Sequence, residues 1–279
     1  MNPEQHAPAS AWAVTAPDDF YYATLYLPPT ARDAARILEA TRRAITDIPG
    51  SCVDRGVAHL KLAWWQTELL ELAAGTPRHP LARALLPLVN RDPAVLTLFE
   101  QLVTATIAAL HSSALGNRRA MLDYVHTQHG PLLDYYIGLG PAVSGAQRVA
   151  LLAIGALLEL AYALRGLRQQ RRNGLLLLAE EELHAARLSV DAVRAAQVSD
   201  ELRVVLAPYL DWLHDELMIR VAALPRSVRR QQRLFATLAV CGADALALTR
   251  ADGCMVLERR VEILPLRKLW LAWRTACWG

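Results

Sequence analysis

The sequence predicts an all-α protein that folds as a single domain. Apolar residues recur at helical spacing along nearly all of the 279 residues, and the alternation typical of strands is almost absent. No linker, internal repeat or low-complexity segment divides the chain. Hydrophobic residues make up 53% of it and charged residues 20%, which supplies enough apolar surface for one extensive core.

The amino-terminal elements are punctuated by proline. We expect residues 1–17 to form a flexible leader and residues 18–279 to form the domain. The first helix is predicted over residues 30–45, with Thr30 as its N-cap, because a Thr side chain can accept a hydrogen bond from a free backbone N–H of the first turn. Pro49 follows and ends the helical pattern.

The later helices keep the same 3.6-residue period and are separated by glycine, proline or serine. They are predicted over residues 53–74, 81–89, 93–115, 119–137, 145–172, 180–196, 200–223, 227–251 and 264–276, with one short extended piece at 174–178. The stretch 149–164 is apolar nearly all round, which indicates a helix buried on every side. It is interrupted by Glu159 and is shorter than the roughly 18 residues that a membrane span requires. Small residues such as Gly155 suit either close helix packing or the wall of an apolar cavity.

Charge, cysteines and the amino terminus exclude several classes of protein. Thirty Lys and Arg against 27 Asp and Glu leave a net charge of +3, too small an excess to predict nucleic-acid binding. The four cysteines have no CxxC spacing, which favours free thiols over disulfides. The first residues lack the basic and apolar regions of a signal peptide. We therefore expect a cytoplasmic protein, and a peripheral position on the inner face of the membrane stays open.

The spacing of polar residues alone reveals no active site. The sequence contains no P-loop, GxGxxG, GxSxG or HExxH pattern. Asp211 and Asp215 form the one clean DxxxD, whose carboxylates share a helix face and could serve a hard cation such as Mg²⁺. Because that helix is otherwise amphipathic, a solvated acidic face is the favoured interpretation.

Several short motifs follow one another in a fixed order between residues 18 and 276. They are 19–28 (DFYYATLYLP) with the following Arg32, 61–69 (KLAWWQTEL), 75–85 (GTPRHPLARAL), 174–183 (GLLLLAEEEL), and 253–261 (GCMVLERRV) with 266–269 (LRKL). Together they resemble the squalene/phytoene synthase family, whose chains open with S-F-Y-x-A. The resemblance implies an isoprenoid-synthase-like helical bundle around a central apolar cavity, near the helices at 30–45, 53–74, 119–137 and 145–172.

In that family two aspartate-rich motifs face each other across the cavity and hold Mg²⁺ against two prenyl diphosphates. The first motif, R-x-x-D-D-x-x-D, is matched by residues 43–50. Arg43 and Asp47 are retained there, whereas Thr46 and Gly50 stand in place of aspartates. Only one of the three carboxylates of this motif is therefore present.

The second motif, N-x-x-R-D-x-x-x-D, is matched by residues 162–170. Arg165 is retained, but Tyr162 replaces the asparagine, and Gly166 and Gln170 replace both aspartates. Glycine and glutamine cannot supply the negative charge that holds metal ions against a diphosphate. We therefore expect no metal ion and no other cofactor.

These losses lead to two hypotheses. The first is a catalytically degenerate member of the fold that binds an isoprenoid or other lipid, or a protein partner. By resemblance, Tyr21, Arg43, Asp47 and Arg165 are then the remnant of a substrate site, and aspartates at the four substituted positions should rebuild the metal site. A complex I assembly factor of the same family also lacks the aspartates.

The alternative hypothesis is an active Mg²⁺-dependent prenyltransferase, which joins two prenyl diphosphates head to head into squalene or phytoene. Its local support is the retained Tyr21, Arg43, Asp47 and Arg165, and with a different register its carboxylates would come from Asp211 and Asp215.

The carboxy-terminal segment 264–278 combines tryptophan with basic residues, as helices at a membrane interface do. The interpretation that we favour is that Leu266, Leu269, Trp270 and Trp273 form a stripe packed on the core. We accordingly expect at most peripheral, salt-sensitive association with a membrane.

Overall fold

The computed structural model describes residues 13–195 and 200–278 and has the all-α fold that the sequence predicts. Its elements are α1 Asp19–Thr24, α2 Pro29–Thr46, α3 Ile48–Ser51, α4 Arg55–Ala73, α5 Pro80–Arg91, α6 Ala94–Ala109, β1 Ala114–Leu115, α7 Arg118–Gly138, α8 Gly145–Arg165, α9 Leu167–Gln170, β2 Leu176–Ala179, α10 Glu180–Ala185, α11 Val190–Arg194, α12 Asp200–Ala223, α13 Arg226–Gln231, α14 Arg233–Ala251 and α15 Pro265–Trp278. Residues 1–12 of the expected leader and residue 196 of the helix expected over 180–196 lie outside the described residues.

Local capping explains where several of these helices begin. Asp54 accepts a hydrogen bond from the backbone N–H of Val57 at 3.0 Å, and Ser144 forms a capping box at the start of α8. The N-cap predicted at Thr30 is wrong, because α2 already begins at Pro29. Proline suits the first helical position, where its fixed φ is helical and its missing N–H is not needed.

Four of the long predicted helices end early or are divided. The helix expected over 180–196 is divided into α10 and α11, and the helix expected over 227–251 is divided at Gln232 into α13 and α14. The helix expected over 145–172 ends at Arg165, and only the single turn of α9 follows. The helix expected over 93–115 ends at Ala109, since residues 114–115 form β1 and pair in parallel with β2. The extended piece expected at 174–178 is therefore present and has a partner strand. Residues 19–24 form a helix that the sequence analysis did not predict.

The core is built around α8, which packs against α7, α12 and α14. A Cβ at Gly155 would lie 2.9 Å from Leu133, so this small residue serves close helix packing. Both α8 and α14 are long and apolar enough to cross a membrane by length and composition, but 50% and 61% of their apolar windows are buried inside the fold. The helix α8 is thus longer than the apolar stretch on which the sequence argument relied.

The carboxy-terminal helix α15 presents the opposite face to the one expected. The stripe predicted to pack on the core is exposed, at 80% for Leu266, 40% for Leu269, 49% for Trp270 and 41% for Trp273. The buried side chains are instead Lys268, Leu271, Ala272 and Thr275. A charged residue lies at the centre of the buried face because Lys268 finds carboxylate partners there, and the apolar stripe turns outward.

Candidate functional site

Two small cavities lie between the helices that carry the motif positions. One has a volume of about 110 Å³ and is lined by residues of α2, α3, α6, α7, α8 and α9, including Thr46 and Gln170, and by Asp47. The other has about 80 Å³ and lies among α1, α2, α7, α8 and α14. Helix α4 lines neither, and α14 takes the place expected for it. Sites that enclose an organic ligand usually measure roughly 300–1,000 Å³.

The first-motif arginine, Arg43, is held by two carboxylates. Its Nη1 and Nη2 atoms donate to Asp18 at 2.5 and 3.0 Å, and its Nε donates to Glu39 at 2.5 Å. Although burial opposes the charge of Arg43, Glu39 and Asp18 outweigh it and raise the pKa of the guanidinium above its usual value. The cation that the resemblance assigns to a substrate is therefore already neutralised within the chain.

Glu39 is the centre of this network, although it is almost fully buried. It accepts two hydrogen bonds from Arg42, both at 2.8 Å, besides those from Arg43 and from the Tyr136 hydroxyl. Burial alone would raise the pKa of the Glu39 carboxyl, but Arg42 and Arg43 outweigh it and lower the pKa to about 2. Arg42 also donates a hydrogen bond to Glu159 of α8 at 3.2 Å, which links α2 to α8, the two helices that carry the motif arginines.

The second-motif arginine, Arg165, is held in the same way. Its Nη1 donates to Asp19 at 3.0 Å and its Nη2 donates to the carbonyl of Val261 at 3.3 Å. The Nζ of Lys268 lies 2.6 Å from the other oxygen of Asp19 and donates to Glu262 at 3.1 Å. Burial opposes ionisation of Asp19, but the charges of Arg165 and Lys268 outweigh it and hold the pKa of that carboxyl below its usual value.

Two consecutive aspartates thus neutralise the arginines of both motifs. Asp18 caps α1 and pairs with Arg43, and Asp19 begins α1 and pairs with Arg165. In the motif S-F-Y-x-A, which residues 19–23 resemble, Asp19 occupies the position of the serine. The chain therefore supplies two carboxylates of its own at the place where both arginines converge.

Tyr162, in the position of the motif's asparagine, lines both cavities and lies beside three arginines. The guanidinium carbons of Arg42, Arg43 and Arg260 lie 5.6, 5.8 and 4.9 Å from its ring centroid. Burial raises the pKa of the Tyr162 hydroxyl, so the side chain is neutral at pH 7. Cations over the face of an aromatic ring attract it, which holds this ring in place.

Asp47 is the one carboxylate that remains at the motif positions. Burial raises the pKa of its carboxyl, and the charges of Arg42 and Arg43 only partly offset this effect. Thr46 lines the same cavity but brings no charge, and Gln170 brings only an amide. Among the described residues, no group of three or more His, Cys, Asp and Glu side chains is arranged to hold a metal ion. The donors at the two motifs do not fit the Mg²⁺ arrangement that the resemblance implies.

The ends of the two motifs are in direct contact. A Cβ at Gly50 in α3 would lie 3.0 Å from the backbone oxygen of Gln169 in α9. Asn173 strengthens the contact, since its Nδ2 donates to the carbonyl of Cys52 at 2.7 Å. Gly174 has a φ of +86°, which favours glycine, and a Cβ there would lie 3.4 Å from Pro49.

This contact bears on the expectation that four aspartates would rebuild a metal site. A side chain at Gly50 requires α9 to move away by a few tenths of an ångström, and a Cβ at Gly166, the C-cap of α8, would lie 3.3 Å from the backbone oxygen of Tyr162. Residues of both motifs, among them Asp47 and Gln170, nevertheless line the cavity of about 110 Å³.

An open cleft of about 640 Å³ lies on the outer side of these residues. It brings together Arg43, Asp47 and Tyr162 with two cations that the site prediction omitted, Lys61 and Arg260. Arg165 lines the smaller cavity instead. Tyr21 lines neither the cleft nor the cavities, and Arg36 lies 4.5 Å above its ring.

The alternative carboxylates are on the surface of α12. Asp211 pairs with Arg250 at 3.4 Å, and Asp215 lies 2.9 Å from His214. Both side chains are more than half exposed, and neither lines the cavities or the cleft.

Sequence reasoning missed the residues that neutralise the site, which are Asp18, Asp19, Glu39, Arg42, Glu262 and Lys268. One signal was available for Glu39, which precedes Arg43 by four residues and therefore shares its helix face. Asp18 and Asp19 had none, because their partners are 25 and 146 residues away along the chain.

Comparisons with known proteins agree with this architecture. Residues 15–267 match the family model described as squalene/phytoene synthase. Phytoene synthases of Mycobacterium bovis and Mycobacterium tuberculosis are each 25% identical over 270 residues, which covers 92% of this chain and 86% of theirs. The crystal structure of the squalene synthase HpnC from Alicyclobacillus acidocaldarius has a TM-score of 0.63 at 18% identity and covers 88% of this chain and 93% of that one. A dehydrosqualene synthase in complex with ligand has a TM-score of 0.69 at 19% identity, with coverage of 93% and 91%.

Proposed function

Because this chain belongs to the squalene/phytoene synthase family, we propose that it is a non-catalytic member, which binds a lipid or a protein partner and does not join prenyl diphosphates. The observation that carries the proposal is the pairing of Arg43 with Asp18 and of Arg165 with Asp19. A diphosphate is recognised by cations that are free to donate charge-assisted hydrogen bonds. Here both retained arginines already donate to carboxylates within the chain.

A diphosphate would have to displace these aspartates before it could bind. Removal of one partner from a fully buried ion pair typically costs about 3–5 kcal/mol, and the cost is lower here because Asp18 and Asp19 are partly exposed. The incoming ligand would meet Asp18 and Asp19 as like charges unless both moved away. The site therefore favours a ligand without a diphosphate group.

The size of the interior and its donors support the same proposal. Cavities of about 110 and 80 Å³ are smaller than the roughly 300 Å³ at which sites for organic ligands begin. The motif positions retain one carboxylate, Asp47, so we expect no Mg²⁺ to be held there. The ligand or partner is then expected at the outer surfaces of the bundle.

The proposal is tested by product formation. The purified protein is incubated with farnesyl or geranylgeranyl diphosphate and Mg²⁺, and released pyrophosphate and extracted lipid are measured. The phytoene synthase of Mycobacterium tuberculosis, assayed in parallel with geranylgeranyl diphosphate, serves as the positive control. We expect no squalene or phytoene above background. Mg²⁺-dependent turnover by the unmodified chain would overturn the proposal.

A binding experiment tests the role of the two aspartates directly. Pyrophosphate is titrated by calorimetry into the wild type, into D18N and into D18N/D19S, whose second change introduces the serine of the family motif. Release of both arginines should raise the affinity for pyrophosphate at least tenfold. D134N, which removes an aspartate paired with Arg148 on the surface, is the matched control and should change nothing. D18N alone keeps the test usable if the double variant does not fold. Equal affinity of the wild type and D18N would contradict the explanation.

Active condensation of prenyl diphosphates remains the second candidate function. The observation in its favour is the 640 Å³ cleft, where Arg43, Asp47 and Arg260 lie together beside Lys61. The relatives of 25% identity are phytoene synthases. If this function is correct, the unmodified chain gives phytoene or squalene in the same assay, and loss of Asp47 abolishes it.

A further inference from the structure

The outward face of α15 carries three exposed tryptophans. Trp270, Trp273 and Trp278 are 49%, 41% and 65% exposed, although tryptophan is usually well buried in folded proteins. The rings of Trp273 and Trp278 lie 5.4 Å apart, and the guanidinium of Arg274 lies 4.7 Å above Trp270. Two of the three exposed rings are therefore in contact with each other, and a cation lies on the third.

A groove of about 700 Å³ adjoins these tryptophans between α12, α13, α14 and α15. Its apolar part is formed by Met218, Val221, Ala222, Ala236, Val240 and Trp278, and its cations are Arg226, Arg229, Arg230 and Arg274. No aspartate or glutamate is among the residues that line it. The groove thus combines an apolar floor with four positive charges.

We propose that this surface, formed by Trp270, Trp273, Trp278, Arg226, Arg230 and Arg274 and named here the tryptophan–arginine face, binds an anionic lipid bilayer. Tryptophan is enriched at the level of lipid headgroups, where its apolar ring is buried and its N–H stays wet. Arginine attracts anionic headgroups, and its aliphatic part lies along apolar surface. On the opposite side of α15, Lys268 donates hydrogen bonds to the carbonyl of Pro17 and to Glu262, which holds the helix against the core. The tryptophan–arginine face is therefore already exposed in the folded protein.

The charge distribution favours a bilayer over other occupants. A second copy of the chain would bring the same arginines opposite one another in a symmetric contact, which is repulsive. An acidic peptide could occupy the groove, but Leu266 and Trp270 lie outside it on the same side of α15 and are largely exposed. A bilayer surface covers the groove and these side chains together. This inference does not depend on whether the site is catalytic.

Vesicle sedimentation tests the inference. The protein is mixed with vesicles of phosphatidylcholine and phosphatidylglycerol at 7:3, or of phosphatidylcholine alone, and the pelleted fraction is measured in low salt and in 500 mM NaCl. We expect binding to the anionic vesicles in low salt and at least a tenfold weaker partition without the anionic lipid or in high salt. Equal partition to both kinds of vesicle, or none to either, overturns the inference.

Paired variants locate the contact. R226E/R274E should weaken partition to anionic vesicles about thirtyfold or more, since each basic residue near the surface contributes about a fivefold factor. W270A/W273A should weaken it in low and in high salt. The controls R91E/R119E and L60A/L70A remove equal charge and exposed apolar residues from other faces and should leave partition unchanged. The proposal is contradicted if the control variants lose as much vesicle binding as the paired variants. It is also contradicted if the protein does not bind vesicles but self-associates, and W270A/W273A removes that self-association.

Discussion

Residues 39–43 and residues 46–50 are neighbouring stretches of the chain that differ in how their charges are compensated. Between Glu39 and Arg43, within α2, every charge has a partner, and Glu39 alone accepts hydrogen bonds from two arginines and a tyrosine. Between Thr46 and Gly50, at the end of α2 and in α3, a single carboxylate remains, and burial disfavours its charged form. In residues 39–43 all charges are paired within the fold, whereas residues 46–50, which match part of a family motif, contain only one charged group.

The wall formed by α8 and α9 shows the same contrast. Arg165 is bound by Asp19, Val261 and Glu262, whereas Gly166 and Gln170, directly after it, contribute no charge. On both walls the arginine of the motif is kept and is paired internally. The difference teaches that a retained motif residue can be kept for folding, so its presence alone does not indicate a retained reaction.

The largest expected effect comes from breaking the saturated segment. E39Q leaves Arg42 and Arg43 buried without their common carboxylate, and we expect a loss of about 3–5 kcal/mol in the free energy of unfolding. Urea denaturation measures it. The matched control is E216Q, because Glu216 also pairs with an arginine four residues later, Arg220, but on the surface. That control should cost at most about 0.5 kcal/mol. Similar losses in both variants would show that burial of the network contributes nothing.

The pH dependence of stability sharpens the same point. The pKa of the Glu39 carboxyl is lowered from its ordinary value of 4.5 to about 2 in the folded protein. A lowered carboxyl pKa stabilises the folded state fully above about pH 4.5, and this contribution is lost as the pH falls through about 2. The gap in unfolding free energy between the wild type and E39Q should therefore be constant at neutral pH and should narrow below pH 4.5, by roughly 3 kcal/mol in all. A gap that stays constant down to pH 3 would contradict the assignment.

The sequence predicted the fold well because helical periodicity and terminator residues are local signals. The ends of α5 and α7 agree with the prediction to within two residues. Where the prediction failed, distant contacts decided the outcome. The break after Arg165 follows from Gly166 and from the packing of α9 on α3, and β1 exists only because β2 lies beside it.

The candidate site was predictable only as a set of positions. The family motifs assign Arg43 to a helix that the structure has as α2, and Arg165 to a helix of which it is the last residue, α8. What they bind depends on Asp18 and Asp19, which no local pattern connects to them. Likewise the face of α15 was predicted with the wrong orientation, because periodicity gives the stripe but does not tell which side Lys268 will bury.

A smaller effect is expected where the two motif walls meet. G50A adds a methyl group 3.0 Å from the backbone of Gln169, and overpacking of this kind typically costs about 1–3 kcal/mol. G138A is the control, because it also lies in a helix but has open space around it, and removal of a helical glycine there should be neutral or stabilising. Thermal unfolding of both variants measures the difference. If G50A is as stable as G138A, the walls are not in tight contact and the site is more open than described.

The smallest effect, and the one of opposite sign, is expected at Asp47. Burial raises the pKa of its carboxyl, so the charged form is less favourable in the folded state than in the unfolded chain. A carboxyl whose folded pKa is raised contributes stability at low pH that is lost as the pH rises through the folded pKa. Asp47 also caps the carboxyl end of α2, where the helix dipole disfavours negative charge.

D47N should therefore stabilise the protein at pH 7, by about 0.5 kcal/mol. The gain should vanish below about pH 3.8, the usual value of an aspartate, because the carboxyl is then neutral in both states. D123N, which removes an exposed aspartate paired with Arg119 on α7, should give no such gain. Chemical denaturation of the three proteins across this pH range measures the effect. A loss of stability in D47N at pH 7 would mean that Asp47, like Glu39, is stabilised as a charged group by its arginine neighbours. Residues 39–43 and 46–50 would then not differ in how their charges are compensated.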